Sequence, residues 1–550
     1  MNLLDLRKHP RQGKRLVEII RIFRRYRVGD WFEGIATLRM PQALTRSEIR
    51  EMRDRPLAER LRLALTEMGT TYIKLGQILS TRADLVGFEI ADELRKLQSD
   101  TPADPPEVVQ QIIIDELGEA PESLFSVFEP EAFSSASIGQ VHRATLKDGQ
   151  EVVVKVQHDG IQEKVRTDLE ILMALAKFLQ EYVSEARAYQ PVAIASEFRR
   201  TLLRELDFAS ERRNIEQFIR NFEDDATVHI PAVHPDFCSS RVLTMEMLQG
   251  IPGSDPDRIQ SSGVPLDDFA KAAATVFLNM ILRDGFYHAD PHPGNFMLLA
   301  DGVLGLLDCG MVGRIDEPTR ELFEDFLILM LQRDSEGLAD LLLRAGSAPE
   351  GVDRIAFRTD LSELLIEYGT QELDELDLGG ALEQIIGIVR RYHILMPTSV
   401  SLLLKTLVML EGTSRMLDPS FSLAELLEPF KDQLIRQRMD PRRWMRWLQR
   451  SARDIDRLAR KGPRSLADIL EGLQSGKLKI RHEHERLEII ADRMVAGLLT
   501  ASLFLGSALL MSQDFPPLVS GISVIGVLGY LCAVVIMGKL LWSQIKRRKQ

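Results

Sequence analysis

His288-Ala289-Asp290-Pro291-His292-Pro293-Gly294-Asn295, followed by Asp308-Cys309-Gly310, is the stretch on which the reading of this chain turns. Phosphoryl-transfer sites use an Asp in H-x-D to take up or orient the attacking hydroxyl's proton. They use an Asn five residues on, and the Asp of a D-x-G, to hold metal ions that bridge the phosphates. Asp290 fills the catalytic place, and Asn295 and Asp308 fill the two metal-ligand places, in order and at that spacing. The run 273–284 is apolar and helix-like, while 303–307 is a short buried-strand candidate that aims Asp308 into a cleft. An H-x-D alone is usually structural; three polar positions at one register are not.

A kinase-like site also needs a lysine and a phosphate loop from upstream. The segment Phe133-Ser134-Ser135-Ala136-Ser137-Ile138-Gly139-Gln140-Val141 leads into an extended run to Leu146, a turn at Lys147-Asp148-Gly149-Gln150, and a strand 152–156. Against the kinase glycine loop the register falls on Ser134, Ala136, Gly139 and Val141, with Ser135 and Ser137 between, so two of three glycines are replaced. Lys155, on the following strand, is the residue expected to pair with the phosphates, because an unpaired ammonium on an apolar strand is costly. Its carboxylate partner comes from a helical pattern over 195–222. Helical spacing places Asp207 and Glu211 on one face and Glu205 elsewhere, and the residues leave Glu205 and Glu211 both open. Runs 228–233 and 241–248 read as strands completing the small sheet. Beyond Glu246 the break Gly250-Ile251-Pro252-Gly253 suits a lobe hinge facing an adenine edge. Residues 265–430 are mostly helical, and a helix over 317–333 leaves little room for a peptide-docking activation segment.

At 550 residues the chain exceeds the size of one core, and its net charge of −12 argues against a nucleic-acid binder. Three scattered cysteines, Cys238, Cys309 and Cys532, fit a reducing compartment and neither a disulfide frame nor a zinc site. The basic start lacks the apolar core of a secretory signal. The Arg-rich stretch 15–25 reads as an amphipathic surface helix against lipid or its own core, with a mitochondrial presequence as the lesser alternative. Helices fill 50–100, with Leu57, Leu61, Ala64, Leu65 and Met68 on one face. There Lys74-Leu75-Gly76-Gln77 taken alone reads as a solvated edge. A proline-rich break at Thr101-Pro102-Ala103-Asp104-Pro105-Pro106 follows.

After about residue 430 the pattern changes. Over 441–461 Trp444, Trp447 and Leu448 share a face while arginines crowd the other, as in an interfacial helix drawn to anionic lipid. Runs 494–512 and 518–538 carry no charge, each about the 20 residues a bilayer-spanning helix needs. Cations flank them at 477–493 and 546–549, so both termini are expected to face the cytoplasm.

Lys74-Leu75-Gly76-Gln77, Ser134 to His142 with its S-I-G-Q-V-H, Glu205-Leu206-Asp207 and His288 to Asn295 together resemble the K-x-G-Q, alanine-rich loop, E-x-D and H-x-D-P-H-P-G-N motifs of the UbiB-like atypical kinases. The resemblance covers roughly residues 50–420, with Ser134 and Ser135 standing where many relatives carry alanine. It implies an ATP- or ADP-binding, Mg2+-dependent ATPase supporting ubiquinone or related prenyl-lipid synthesis, with Lys74 and Gln77 from the extension beside the nucleotide cleft. The implied partners are the bilayer, prenyl-lipid or quinone intermediates and biosynthetic proteins. The implied location is the inner (plasma) membrane with a cytoplasmic catalytic domain, ahead of the mitochondrial inner membrane. A true phosphotransferase and a nucleotide-gated scaffold without turnover are the alternatives. The expected fold is α+β, a bilobal protein-kinase-like fold with a helical N-terminal extension and a C-terminal transmembrane helical hairpin. Its parts are an extension at 1–105, an N-lobe at 106–250, a C-lobe at 251–430, basic amphipathic helices at 431–490 and two membrane helices at 491–550.

Overall fold

Prolines and glycines set where most elements begin and end. The computed structural model describes residues 10–28, 55–97, 101–183, 190–349, 351–369, 377–427, 485–512, 518–519, 522–523, 525 and 527–534. It divides into two units, Met1–Met439 and Asp440–Gln550.

The first unit opens with helix α1 (Pro10–Arg25), then α2 (Leu57–Met68), α3 (Thr70–Ser80), α4 (Ala83–Val86) and α5 (Phe88–Arg95). Gly69 and Gly87, both at φ 89°, make the sharp breaks before α3 and α5 that other residues resist. The apolar stripe of α1 is spent on the protein's own core: Leu16, Ile19 and Ile22 pack with Ala64, Leu65, Tyr72 and Leu94. Arg15 reaches Asp168 at 2.8 Å.

Pro106 starts α6 (Pro106–Leu117), which is followed by α7 (Pro121–Leu124) and strands β1 (Val127–Phe128), β2 (Ser134–Ser135), β3 (Gly139–Thr145) and β4 (Glu151–Gln157). The β3–β4 turn contains Gly149 at φ 92°, the conformation that its Asp-Gly pair predicts. Helices α8 (Ile161–Tyr182), α9 (Pro191–Glu205) and α10 (Phe208–Asn221) lead to β5 (Val228–His229) and β6 (Val242–Glu246). The upper sheet is antiparallel in the order β1-β3-β4-β6, with β2 also on β3. Val152, Val154 and Val156 are buried against Val109, Ile112 and Ile113 of α6. Strand periodicity therefore turns Lys155 to the opposite face.

The lower lobe contains β7 (Ile251–Pro252), α11 (Pro256–Ser261), α12 (Leu266–Asn279) with a π-helical turn at Met280–Asp284, β8 (Phe286–His288), β9 (Phe296–Leu298), β10 (Leu304–Leu306) and β11 (Val312–Arg314). Helices α13 (Glu317–Leu331), α14 (Ser335–Ala345), α15 (Arg354–Gly369), α16 (Leu378–Arg391) and α17 (Thr398–Leu417) complete it. A second sheet runs β5-β10-β9-β7, and β11 pairs with β8. One large core joins both lobes, from Phe198 and Phe208 to Leu403 and Leu407.

Two expectations are corrected, and the surroundings of a third are seen. The strand expected at 228–233 does not complete the upper sheet: Val228 and His229 pair in parallel with Leu304 and Gly305, and only Val233 bridges to Met245. Pro231, with no N–H to donate, interrupts the run and allows the change of sheet. The segment at Gly250–Gly253, expected to be a lobe hinge, is paired with the lower sheet, β7 being hydrogen-bonded to β9. A Cβ on Gly250 would lie 2.5 Å from the Leu298 carbonyl oxygen, so the glycine serves close backbone approach. The single helix expected over 195–222 is two helices, broken where Asp207 caps α10 by accepting from the Ala209 N–H at 3.2 Å.

In the second unit α18 (Glu485–Ser512) covers the first apolar run, and Leu518–Val519 (β12) pairs antiparallel with Ile522–Ser523 (β13). The run expected to be a helix from 518 thus begins extended, at the β-branched residues Val519 and Ile522, which pair with each other. Among the described residues no helix is long and apolar enough to cross a membrane, so the expected transmembrane hairpin gains no support from them. The basic amphipathic stretch 441–461 lies outside the described residues.

Candidate active site

The lysine on β4 finds its carboxylate on α10: Lys155 Nζ donates to both oxygens of Glu211, at 2.9 and 2.8 Å. Glu205 instead forms an ion pair with Lys74 of α3, at 3.1 Å. The break at Asp207 explains how both glutamates reach this region when one continuous helix would have pointed them apart. In the E-x-D motif, then, the Glu meets the extension and the Asp caps the next helix. Gln157 fastens the bend, its amide donating to the Leu206 carbonyl at 2.5 Å. Phe208 places its ring 5.2 Å from the Lys155 ammonium.

Asp308 follows β10 and completes the charge cluster. The Lys155 ammonium pulls its carboxyl down to about 2 against the effect of burial, with further pulls from the Gly310 N–H, His288 and Lys74. Burial works against the Lys155 charge, but Glu211, Asp308 and Glu205 together outweigh it and raise its pKa. Lys155 is therefore a fixed cation and Asp308 a fixed anion at any physiological pH. The thiol of Cys309, the next residue, is buried, and burial, seconded by Asp308, pushes it well above the ordinary range, as in an unreactive cysteine.

The H-x-D loop is held from several sides. His288 Nε2 bonds the Asp308 carbonyl, and the Asp290 N–H donates to His288 Nδ1 at 3.2 Å. Asn295 Nδ2 donates to Asp290 Oδ2 at 2.9 Å and to the Asp290 carbonyl at 3.0 Å. That fixes the amide so that its oxygen is left over as an acceptor. Thr406 of α17 donates to the Ala289 carbonyl at 3.4 Å, and Asn214 of α10 to the Cys309 carbonyl at 3.1 Å. Asp290 and Asn295 thus stand together, and Asp308 is tied to them through His288.

The phosphate-loop candidates form β2, the turn at Ala136-Ser137-Ile138, and the start of β3, where Ser134 opposes Val141 and Val141 opposes Lys155. Gly139 is needed for packing: a Cβ there would lie 2.5 Å from the Val156 carbonyl oxygen and 3.2 Å from the Phe208 ring. The turn is clamped by His158, whose ring bonds the Ala136 carbonyl at 2.9 Å and Asp104 at 3.0 Å. Neither His158 nor Asp104 was singled out from sequence, and no spacing rule links them. Ser135 Oγ lies 3.5 Å from the same ring, and Ser137 is buried. Glu246 is not drawn into the charge cluster; its carboxylate accepts from His229 at 3.0 Å and the Ala232 N–H at 3.0 Å.

In the K-x-G-Q motif each residue has its own task. Lys74 reaches Glu205, Gln77 donates to the Leu97 carbonyl at 3.1 Å, and Gly76 lies so close to Leu97 and Leu65 that a side chain would overlap them. Among the described residues no group of three or more His, Cys, Asp or Glu is arranged to hold a metal. A divalent ion bound mainly by nucleotide phosphates needs no such group; one carboxylate and one amide oxygen suffice, and Asp308 and Asn295 are of that kind.

A small antiparallel sheet carrying a Lys–Glu pair, set over a helical lobe with H-x-D, Asn and D-x-G, defines the kinase-like class of proteins. Comparison with known proteins agrees: residues 96–342 match the ABC1 atypical kinase-like domain, 361–422 the UbiB helical domain and 479–546 the ABC1/UbiB kinase-like C-terminal domain. The chain belongs to the UbiB family of atypical kinases. A probable protein kinase UbiB of Azotobacter vinelandii is 32% identical over 498 residues, covering 88% of this chain and 92% of its own. Its counterpart in Pseudomonas paraeruginosa is 33% identical over 460 residues, covering 81% and 86%. Among solved structures, that of Rv3197 with erythromycin from Mycobacterium tuberculosis shares 25% identity at a TM-score of 0.41, covering 68% of this chain and 99% of that one.

Proposed function

We propose that this protein binds ATP with Mg2+ in the cleft between Lys155 and Asp308 and hydrolyses it in support of ubiquinone or related prenyl-lipid synthesis at a membrane. The observation that carries the nucleotide reading is the Lys155–Glu211 pair, at 2.8 Å, held in the field of Asp308. Lys155 supplies a permanent cation for phosphate oxygens, and Glu211 fixes its direction. Asp308 and Asn295 would hold the magnesium ion, which when bound neutralises phosphate charge. Asp290, oriented by Asn295 and His288, accepts the proton of the attacking hydroxyl or water. Around Lys155 the carboxylates Glu205, Glu211 and Asp308 outnumber the cations Lys74 and Lys155. A polyanionic nucleotide therefore needs to bring a divalent ion with it.

The lipid pathway and the inner-membrane setting are inferred from the family. An apolar surface contact is supported by α18, where Leu498, Leu499, Leu505 and Leu509 are all more than 60% exposed. In this reading 494–512 and 518–538 contact the bilayer, with the catalytic unit and both termini on the cytoplasmic side. Prenyl-lipid intermediates and biosynthetic proteins are the partners proposed with it. Full-length protein in phospholipid vesicles, given γ-labelled ATP, tests the proposal. Release of phosphate that Asp290→Asn lowers by about 10²–10⁴-fold supports it. Label transferred to a protein or lipid makes the protein a phosphotransferase, and nucleotide binding with no turnover makes it a nucleotide-gated scaffold.

A further inference from the structure

Behind the H-x-D loop, on the side of α16 and α17, the first unit contains a cleft of about 610 Å3, part of it open to solvent, that none of the roles above uses. Its walls are apolar, formed by Phe88 of α5, Ile386 and Val389 of α16, Leu404 and Val408 of α17, and Met396. Its charged lining consists of Asp84, Arg95, Glu383 and Lys405. Asp84 is taken by Arg82 at 2.8 Å, and Arg95 by Asp92 at 2.6 Å. Lys405 has neither a hydrogen bond nor an ion pair within 4.0 Å among the described residues. Lys405 is half-buried and its ammonium is not among the fully buried polar atoms, so it faces the solvent-open part of the cleft.

Lys405 directly precedes Thr406, which bonds the Ala289 carbonyl, so the cleft backs onto the catalytic loop at the residue before Asp290. Burial pulls the Lys405 ammonium down to about 8; Asp290 opposes the fall and Arg95 adds to it. Glu383 is pushed the other way, its carboxyl raised by burial and only partly held by Arg95. The cleft thus offers, among the described residues, one cation that is not held in an ion pair.

We propose that this cleft binds an apolar acid, a molecule with a hydrocarbon or aromatic body and one anionic oxygen group, with Lys405 as its counter-charge. The apolar walls take the body, and the carboxylate, phosphate or acidic hydroxyl lies at Lys405 beside the catalytic loop. The inference goes beyond nucleotide hydrolysis and stands whether or not ATP is turned over.

The test uses full-length protein in phospholipid nanodiscs, with empty discs as the blank. The probe is 4-(trifluoromethyl)benzoate, followed by 19F NMR, with 4-(trifluoromethyl)benzyl alcohol as the neutral comparison. The acid is expected to bind saturably and about tenfold more tightly than the alcohol, as a charge-assisted hydrogen bond provides. Lys405→Met is expected to remove that preference, and Lys405→Arg to retain it. Val408→Trp, which fills the cleft, is expected to abolish binding of both. Nucleotide affinity measured on the same samples reports separately on the ATP site and on folding. Equal binding of acid and alcohol, no saturable binding by wild type, or wild-type affinity in both Lys405→Met and Val408→Trp overturns the proposal.

Discussion

Replacing Glu211 by Gln asks the structure its most direct question, because it removes the charge that fixes Lys155 while keeping shape and burial. At 2.8 Å and an effective dielectric constant of about 20 the gross attraction is about 6 kcal/mol, most of it offset by desolvation of both groups. Removing one partner of a buried pair costs about 3–5 kcal/mol when the other charge is stranded. Lys155 is not wholly stranded, since Asp308 and Glu205 remain in its field, so a loss of about 2–3 kcal/mol is expected. Freed from Glu211, the ammonium should be drawn to Asp308, and nucleotide affinity should fall by about tenfold or more. The assays are urea unfolding and titration with a fluorescent ATP analogue, arranged as double-mutant cycles of Lys155→Met with Glu211→Gln and with Glu205→Gln. Coupling should be about 2 kcal/mol with Glu211 and below about 0.5 kcal/mol with Glu205. The reverse order, or no coupling in either cycle, would refute the assignment of the pair.

Asn295→Ala removes both a proposed metal ligand and the donor that orients Asp290, so hydrolysis should drop by about 10²-fold with a raised Mg2+ requirement; the double variant with Asp290→Asn should lose little more than Asp290→Asn alone. Gly76→Val should cost about 1–3 kcal/mol in a thermal or urea melt, because the added atoms meet Leu97 and Leu65, and wild-type stability would count against the close packing of α3. Glu411, nearly buried and bonded by the Gly379 N–H, has its carboxyl raised to about 7, burial outweighing Arg415 at 3.1 Å. The folded form therefore holds a proton that the unfolded chain releases near 4.5. Stability should be fullest below that pH and fall by up to about 3 kcal/mol as pH rises through 7, and Glu411→Gln should flatten the slope.

Much of the catalytic machinery could be read from residue order because kinase-like chemistry fixes spacings along the chain. Asp290, Asn295 and Asp308 need a loop and a strand end at set distances, and Lys155 needs the strand beside the loop. What escaped was whatever depends on a bend. Helical periodicity carried through 195–222 put Glu205 on the wrong side, because Asp207 serves equally well inside a charged face and as a cap, and only the latter turns the chain. The strand at Val228–His229 was legible as a strand, but its sheet was not, since the partner lies beyond residue 300. His158 and Asp104, far apart in sequence and common in type, meet only through the fold. Lys74 is the converse case: an ordinary helix-edge lysine by composition, distinguished only by the motif around it.

The stretch between Asp308 and α13 is stitched back at once, residues 312–314 pairing with 286–288. No loose length of chain remains there for a covalent mark to order or release. A switch for this fold must then come from the other direction, through the helix that delivers Lys74 to Glu205. Levering that helix away would unbalance the charges around Lys155 without disturbing a single residue of the H-x-D loop. Sensitivity would thus be housed ahead of the catalytic lobes, in a part of the chain that carries none of the chemistry.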